Sequence, residues 1–148
     1  MSFKKPVSVL VLIHSPALEV LLIERAAHPG FWQSVTGSQE DDEPLALTAA
    51  RELHEETGIL AQPGQIEDWH QQQQYEIFPQ WRHRYAPGTT HNTEHVFSIC
   101  VPRDTPVTLA PGEHRAWRWL PWREAAAACF SESNRDAILA LPARMQAG

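Results

Sequence analysis

Acidic side chains are concentrated in one short part of this 148-residue chain. Between Gly37 and Gly58 the sequence has seven acidic residues and one basic residue, Arg51, so this segment carries the whole net charge of −6. The acidic residues are Glu40, Asp41, Asp42, Glu43, Glu52, Glu55 and Glu56. Carboxylate oxygens are the ligands that Mg²⁺ and Ca²⁺ prefer in proteins. The cluster therefore indicates a site for a divalent cation, with a solvated helix face as the alternative interpretation.

Glu52, Glu55 and Glu56 fall on a predicted helix, Leu45–Thr57, which Gly58 is suited to close in the left-handed conformation. At about 100° per residue, the three carboxylates share an arc of about 100° on the helix surface. Like charges three and four positions apart destabilise a helix by a few tenths of a kcal/mol. A bound divalent cation would convert this repulsion into coordination.

The acidic helix and its flanks resemble the Nudix box. Gly37 is followed after five residues by Glu43, and after seven more by the run Arg51-Glu52-Leu53-His54-Glu55-Glu56-Thr57-Gly58-Ile59, which matches the box at every defined position over residues 37–59. The resemblance implies one Nudix domain over 1–148, an α/β/α sandwich with a mixed β-sheet and a loop–helix–loop catalytic motif. It also implies Mg²⁺-dependent hydrolysis, with Mn²⁺ as a substitute metal, of a nucleoside diphosphate linked to another group.

The same resemblance implies roles for individual residues. Glu52 and Glu56 are expected to be the main metal ligands, with Glu55 next, and Arg51 is expected to orient a glutamate. The box does not fix the general base, for which Glu52 and Glu113 are the candidates. Glu113 is also a candidate carboxylate of the metal site. Metal ions would reverse the local sign of the charge, bridge carboxylates to phosphate oxygens and activate a water for attack.

Short apolar runs and helical segments must position these side chains. The sequence predicts strands over Val7–Ile13, Val20–Ile23, Val96–Val101 and Arg115–Leu120, one long or two short strands over Ile66–Phe78, and helices over Trp122–Cys129 and Asn134–Leu141. Phe31–Ser38 is expected to be irregular, Arg82–Thr93 to be a polar loop, and Gln71–Gln74 to form an exposed sheet edge. This order of elements predicts one α/β or α+β domain with a mixed sheet between helices.

Composition restricts the class of protein. A chain with 43% hydrophobic and 20% charged residues is neither disordered nor collagen-like, and its negative charge disfavours a globally basic nucleic-acid binder. Two cysteines are too few for a disulfide framework, so a reducing cytoplasm is expected. No apolar stretch approaches the roughly 18 residues needed to span a bilayer. We expect a cytoplasmic monomer or small homo-oligomer without a nucleic-acid, membrane or obligate protein partner.

Motifs outside the box resemble one bacterial subgroup of the family. They are Phe31-Trp32-Gln33-Ser34-Val35-Thr36-Gly37-Ser38, Trp81-Arg82-His83-Arg84-Tyr85-Ala86-Pro87-Gly88 and Asn92-Thr93-Glu94. The subgroup hydrolyses dihydroneopterin triphosphate to the monophosphate and pyrophosphate, a step toward folate, and often accepts dATP and other deoxynucleoside triphosphates. The resemblance implies the same small-molecule substrates here.

Residues suited to such a substrate are spread along the chain. The candidates are Lys4, Arg25, Thr36, Tyr75, Glu76, Ile77, Phe78 and Ser131. Cations suit a triphosphate, aromatic rings suit a flat heterocycle, and Ser131 suits either anion binding or capping at a helix start. Trp32 and Trp81 are further candidates for stacking. Arg82 and Arg84 are each candidates either to bind phosphate or to hold the loop.

Other functions stay open at the level of sequence. Tyr75 lies 16 residues beyond Ile59, a spacing typical of dinucleoside polyphosphate hydrolases. Gln74 stands where ADP-ribose hydrolases usually have a proline, which disfavours that activity. A Nudix module that binds nucleotide or RNA without catalysis is a third alternative, against which the intact set of glutamates argues. The eight histidines show no spacing typical of a transition-metal site.

Overall fold

The computed structural model describes residues 3–62 and 64–147 of the chain. Its strands are β1 (Val7–His14), β2 (Glu19–Arg25), β3 (Trp32–Gln33), β4 (Val35–Ser38), β5 (Ile66–Glu76), β6 (His91–Cys100) and β7 (His114–Pro121). Its α-helices are α1 (Leu45–Thr57), α2 (Trp122–Ala128) and α3 (Glu132–Ala147), and a 3₁₀ helix covers Pro79–Arg84. The predicted helix Leu45–Thr57 is confirmed at both ends.

The strands form one mixed, seven-stranded sheet. Its main path runs β3-β2-β1-β6-β5, while β4 pairs with β1 and β7 pairs with β2. The pairing of β1 with β6 is parallel, and the remaining pairings are antiparallel. The predicted mixed sheet is therefore confirmed, and β1 lies at its centre.

Both faces of this sheet are covered by helices. Val11 of β1 packs in one core cluster with Leu53 of α1. Its neighbour Leu12 faces the opposite way and packs in a second cluster with Ile138 of α3. Because β1 is buried on both faces, its sequence is a continuous apolar run and does not alternate with polar residues. The α/β/α arrangement places α1 alone on one face, and α2 and α3 on the other.

Two segments predicted as irregular form regular structure. Phe31–Ser38 contains β3 and β4, and β4 pairs with β1 through Val35 and Val11. Arg82–Thr93 was predicted as a loop, but the 3₁₀ helix extends to Arg84 and β6 begins at His91. The prediction for Phe31–Ser38 was wrong because β3 and β4 are held by pairing with β2 and β1, which the local sequence does not encode. The prediction for Arg82–Thr93 was wrong only at its two ends, since residues 86–90 form neither helix nor strand.

The last helix and the sheet edge also differ in detail from the prediction. Helix α3 begins at Glu132 and continues past Pro142 to Ala147, beyond the predicted end at Leu141. Strand β5 is a single strand at the sheet edge, as predicted for Gln71–Gln74, and a bulge interrupts its pairing with β6 between Asp68 and Gln72. Among the helices of residues 3–62 and 64–147, none is long and apolar enough to cross a membrane.

Candidate functional site

A cavity of about 1300 Å³ brings most of the predicted site residues together. It is bounded by β1, β4, α1, β5, the 3₁₀ helix and the start of α3. The predicted residues that line it are Lys4, Arg25, Thr36, Glu52, Glu55, Glu56, Tyr75, Glu76, Ile77, Phe78, Glu113 and Ser131. Of the predicted site residues, Arg51 and the stacking candidate Trp32 stand outside this lining.

The acidic face of α1 is partly buried. Glu56 is only 4% exposed, whereas the side chain of Glu55 is 53% exposed. Burial raises the pKa of Glu56 well above its usual range, and the neighbouring carboxylates of Glu52 and Glu113 raise it further. The pKa of Glu52 is also raised, first by burial and then by Glu55. Without a cation, the protein therefore disfavours full ionisation of this pair.

His114 lies beside the buried acid and was not identified from the sequence. Its Nε2 atom is 3.8 Å from Oε1 of Glu56. Burial lowers the pKa of His114 to about 4, and the nearby charge of Arg25 contributes to the lowering. His114 is therefore neutral at pH 7 and does not compensate the charge of Glu56. The pairing of β7 with β2 places it there, and no local sequence pattern marks such a long-range contact.

Arg51 connects the glutamate-rich loop to the helix. It forms a bidentate ion pair with Glu43, in which Nη2 lies 2.6 Å from Oε1 and Nε lies 3.3 Å from Oε2. Its Nη1 atom donates to Glu52 at 2.8 Å, and Nη2 also donates to the carbonyl of Ser38. Arg51 thus holds Glu52 in place from the side away from the cavity, consistent with the predicted orienting role.

Gly37 is required by the same packing. A methyl group on Gly37 would overlap the carboxylate end of Glu52. Because Gly37 pairs with Val9 across β4 and β1, its backbone has little freedom to move away. The glycine at the start of the box therefore makes room for the Glu52 side chain against β4.

The donor set is suited to a hard divalent cation. Oε1 of Glu56 is buried and has no hydrogen-bond partner within residues 3–62 and 64–147. Beside the neutral ring of His114, its charged neighbours are the carboxylates of Glu52 and Glu113, and Mg²⁺ and Ca²⁺ prefer carboxylate oxygens. No three His, Cys, Asp or Glu side chains in those ranges are arranged to enclose an ion. Oε1 of Glu52 and Oε2 of Glu55 contact Arg51, at 2.8 and 3.4 Å, so a metal ion would compete with the guanidinium for these two oxygens.

Five cationic residues line the cavity, and three of them form a cluster near these acids. Lys4, Arg25 and Arg84 all contribute to the lining, and the ion pairs found in the described part of the chain include none of them. Burial lowers the pKa of Lys4 and of Arg25, and repulsion from Arg84 lowers both further. The guanidinium carbons of Arg25 and Arg84 lie 4.8 and 5.9 Å from the ring centre of Trp81. A cluster of like charges of this kind is suited to a polyanion.

The structure distinguishes the two arginines of the 3₁₀ helix. Arg82 donates to the carboxylate of Glu76 at 2.6 Å and to the carbonyl of Ile77 at 2.9 Å, so it holds the end of β5. Within residues 3–62 and 64–147, the side chain of Arg84 forms no such hydrogen bond. It belongs instead to the cationic cluster with Lys4 and Arg25. The sequence alone could not separate them, because both sit in the same polar stretch.

Aromatic rings form another wall of the cavity. Trp81 packs against Phe78 with ring centres 5.2 Å apart, and against Phe130 at 6.4 Å. Phe130 was not predicted, since it lies between two helices far along the chain. Trp32 was predicted as a stacking candidate, but it packs against the core cluster under α2 and α3, with Arg118 4.9 Å above its ring. That prediction was wrong.

The start of α3 is fixed by side-chain hydrogen bonds. Asn134 accepts from the backbone amide of Ser34 at 2.8 Å and donates to its hydroxyl at 3.0 Å. Oγ of Ser131 accepts from the backbone amide of Asn134 at 3.4 Å, which is a capping contact. Because Ser131 also lines the cavity, the predicted alternatives of capping and ligand binding are compatible.

The fold and the site define the class of protein. The NUDIX domain model matches residues 4–141, so the chain belongs to the Nudix family. It is a Nudix hydrolase, an enzyme of the pyrophosphatase type, and enzymes of this family use divalent metal ions.

Particular relatives were also found. The chain is 42% identical over 139 residues to dihydroneopterin triphosphate diphosphatase of Escherichia coli, covering 92% of this chain and 91% of that protein. It is 38% identical over 141 residues to the enzyme of the same name from Haemophilus influenzae, covering 93% and 88%. The solved structure of the E. coli dihydroneopterin triphosphate pyrophosphohydrolase matches with a TM-score of 0.85, covering 93% of this chain and 95% of that one.

The Arg51–Glu43 contact predicts a pH-dependent contribution to stability. Hydrogen bonding from Arg51 lowers the pKa of Glu43 to about 2, below its ordinary value of 4.5. The ionised carboxylate therefore stabilises the folded state fully above pH 4.5, and this contribution is lost as the pH falls from 4.5 toward 2. Glu43→Gln should lower the free energy of unfolding at pH 7 by about 1–2 kcal/mol, and the difference from wild type should shrink at pH 3.

Urea unfolding at both pH values measures this difference. Glu40→Gln is the matched control, because Glu40 contacts the same guanidinium at 3.4 Å but is 70% exposed. Its effect should stay within about 0.5 kcal/mol at pH 7. An equal loss of stability at pH 7 and pH 3 for Glu43→Gln would exclude the ion pair as its cause.

Proposed function

We propose that this enzyme hydrolyses dihydroneopterin triphosphate to the monophosphate and pyrophosphate, with Mg²⁺ as its metal and dATP and other deoxynucleoside triphosphates as further substrates. The observation that carries the proposal is one cavity that combines buried carboxylates, the cluster of Lys4, Arg25 and Arg84, and an aromatic wall. The names of the relatives that are 42% and 38% identical over most of the chain support the same substrate. A cytoplasmic location and a monomeric or small homo-oligomeric state belong to this proposal.

Glu52 and Glu56 are the proposed main metal ligands, with Glu55 and Glu113 beside them. A bound divalent ion supplies neutralisation of phosphate charge and a water of lowered pKa. Arg51 keeps Glu52 in position through its 2.8 Å contact, and its hold on Glu43 fixes the preceding loop. The proton of the attacking water passes to a carboxylate of this cluster, for which Glu52 and Glu113 are the candidates.

Lys4, Arg25 and Arg84 are proposed to bind the triphosphate. In the reaction, the water oxygen forms a new bond to phosphorus and the anhydride bond between the α and β phosphates breaks. Cations that face the β and γ phosphates stabilise the charge that develops on the leaving pyrophosphate. Their mutual repulsion in the absence of substrate is relieved when the polyanion binds.

The aromatic wall is proposed to hold the flat ring of the substrate. Tyr75, Phe78, Trp81 and Phe130 line the part of the cavity formed by β5, the 3₁₀ helix and the start of α3. Offset or edge-on contacts with a heterocycle are worth about 0.5–1.5 kcal/mol each beyond the burial of apolar area. The hydroxyl of Tyr75 is held by Asn92, whose Nδ2 lies 3.1 Å away.

A dinucleoside polyphosphate hydrolase is the second candidate function. It is favoured by the spacing of Tyr75 from the box and by the position of its side chain in the cavity. A module that binds nucleotide or RNA without catalysis is the third. It is disfavoured by the buried carboxylates, which a silent module has no need to retain.

The role of Arg84 is tested against that of Arg82. Arg84→Gln removes one of three cations, so the inhibition constant of inorganic pyrophosphate should rise about tenfold or more, with an unchanged melting temperature. Arg82→Gln breaks contacts that hold β5, so the melting temperature of this variant should fall. Its inhibition constant for pyrophosphate should stay within about threefold of the wild-type value. Equal pyrophosphate constants for wild type and Arg84→Gln would remove Arg84 from the phosphate site.

A substrate panel tests the proposed function itself. The rate constants kcat/KM should be measured with Mg²⁺ on dihydroneopterin triphosphate, dATP, diadenosine tetraphosphate and ADP-ribose, with identification of products. We expect the highest value for dihydroneopterin triphosphate, release of pyrophosphate, and loss of activity on addition of EDTA. A clear preference for the dinucleotide would establish the second candidate, and no hydrolysis of any substrate would favour the silent module.

A further inference from the structure

Glu94 is a buried carboxylate at the cavity that the proposed chemistry does not use. It lies on β6, where it stands beside Ser8 of β1 in the parallel register. Only 4% of the residue is exposed, yet it contributes to the lining of the cavity. The burial of this carboxylate beside the cavity therefore requires a physical explanation.

The protein contacts of Glu94 do not balance its charge. Nε2 of Gln73 donates to its Oε1 atom at 2.9 Å, and the nearby hydroxyl of Ser133 also favours the ionised form. Both partners are neutral, and none of the ion pairs found within 3–62 and 64–147 includes Glu94. Burial accordingly raises the pKa of Glu94. A buried carboxylate without a cation is costly unless further donors reach it.

Glu94 lies beside the aromatic wall, which is proposed to hold the ring of the substrate. Its partner Ser133 is 3.0 Å, hydroxyl to hydroxyl, from Ser131, which follows Phe130 of the aromatic wall. On the other side, the charge of Glu94 acts on the phenol of Tyr75 and helps to raise its pKa. The carboxylate is therefore placed to meet the edge of a ring that stacks on this wall.

We propose that Glu94 is a specificity-determining residue that reads the ring edge of the substrate through two adjacent N–H groups. The inference rests on the proposed function, since the ring is taken to be a 2-amino-4-oxo pterin. Such a ring presents its N3–H and its 2-amino group side by side, and an ionised carboxylate accepts both. Adenine instead presents an amino donor beside a ring-nitrogen acceptor, which an ionised carboxylate does not match.

Replacement of Glu94 by glutamine tests this assignment. Glutamine has nearly the same shape but offers one acceptor and one donor, so it opposes a donor to the pterin edge while it suits adenine. Glu94→Gln should lower kcat/KM on dihydroneopterin triphosphate at least about tenfold, chiefly through KM. On dATP, kcat/KM should stay within about threefold of wild type or rise.

Matched variants separate ring recognition from structural support. Gln73→Ala and Ser133→Ala remove the polar side chains beside Glu94 but keep its carboxylate. Both should leave the ratio of kcat/KM for the two substrates within about threefold of wild type. An equal loss on both substrates, or no loss on either, in Glu94→Gln would overturn the proposal.

A comparison of two competitive inhibitors tests the same proposal on the wild-type enzyme, without any substitution. Competitive inhibition by 6-hydroxymethylpterin should be at least about tenfold stronger than inhibition by 6-hydroxymethyllumazine, in which an oxo group replaces the 2-amino donor. Equal inhibition constants would overturn the role of Glu94.

Failure of the wild type to hydrolyse dihydroneopterin triphosphate would instead refute the proposed function, and with it the pterin edge as the ligand. Hydrolysis with an unaltered substrate ratio in Glu94→Gln refutes only the inference on Glu94.

Discussion

The burial of two neighbouring carboxylates on one helix is the constraint on which the rest of the site depends. Glu52 and Glu56 lie one turn apart on α1, and Glu56 is almost fully removed from water. Such a pair is unfavourable when both groups are ionised, because each is desolvated and each repels the other. His114 does not relieve the repulsion, since its low pKa keeps it neutral. A divalent cation would stabilise the pair, so the arrangement makes structural sense as a metal site.

The surroundings of this pair organise the rest of the cavity by charge. Arg51 holds Glu52 from outside and ties it to Glu43, while Gly37 leaves space for the glutamate against β4. On the cavity side stand the cations Lys4, Arg25 and Arg84, which repel one another until an anion binds. A substrate that is anionic at one end and flat at the other would therefore be oriented by both charge and shape.

The local parts of this arrangement could be predicted from sequence, and the long-range parts could not. The helix, its closing glycine and the shared face of Glu52 and Glu56 follow from spacing within one helix, and the apolar run of β1 identifies a buried strand. His114 and Phe130 enter the cavity only through strand pairing and helix packing, so no local pattern marks them. The strands within Phe31–Ser38 were missed for the same reason, because β3 pairs with β2 and β4 pairs with β1.

Thermal unfolding of wild type and Glu56→Gln, with and without Mg²⁺, tests the central claim most directly. The variant replaces a desolvated carboxyl group with a neutral amide of nearly the same shape, so without metal its melting temperature should equal or exceed that of wild type. Addition of Mg²⁺ should raise the melting temperature of wild type in a saturable way, because a ligand of the folded state stabilises it. It should have little effect on Glu56→Gln, while Glu67→Gln, at an exposed edge position, should respond as wild type does. A wild-type melting temperature that does not respond to Mg²⁺, or a variant that responds equally, would contradict the account.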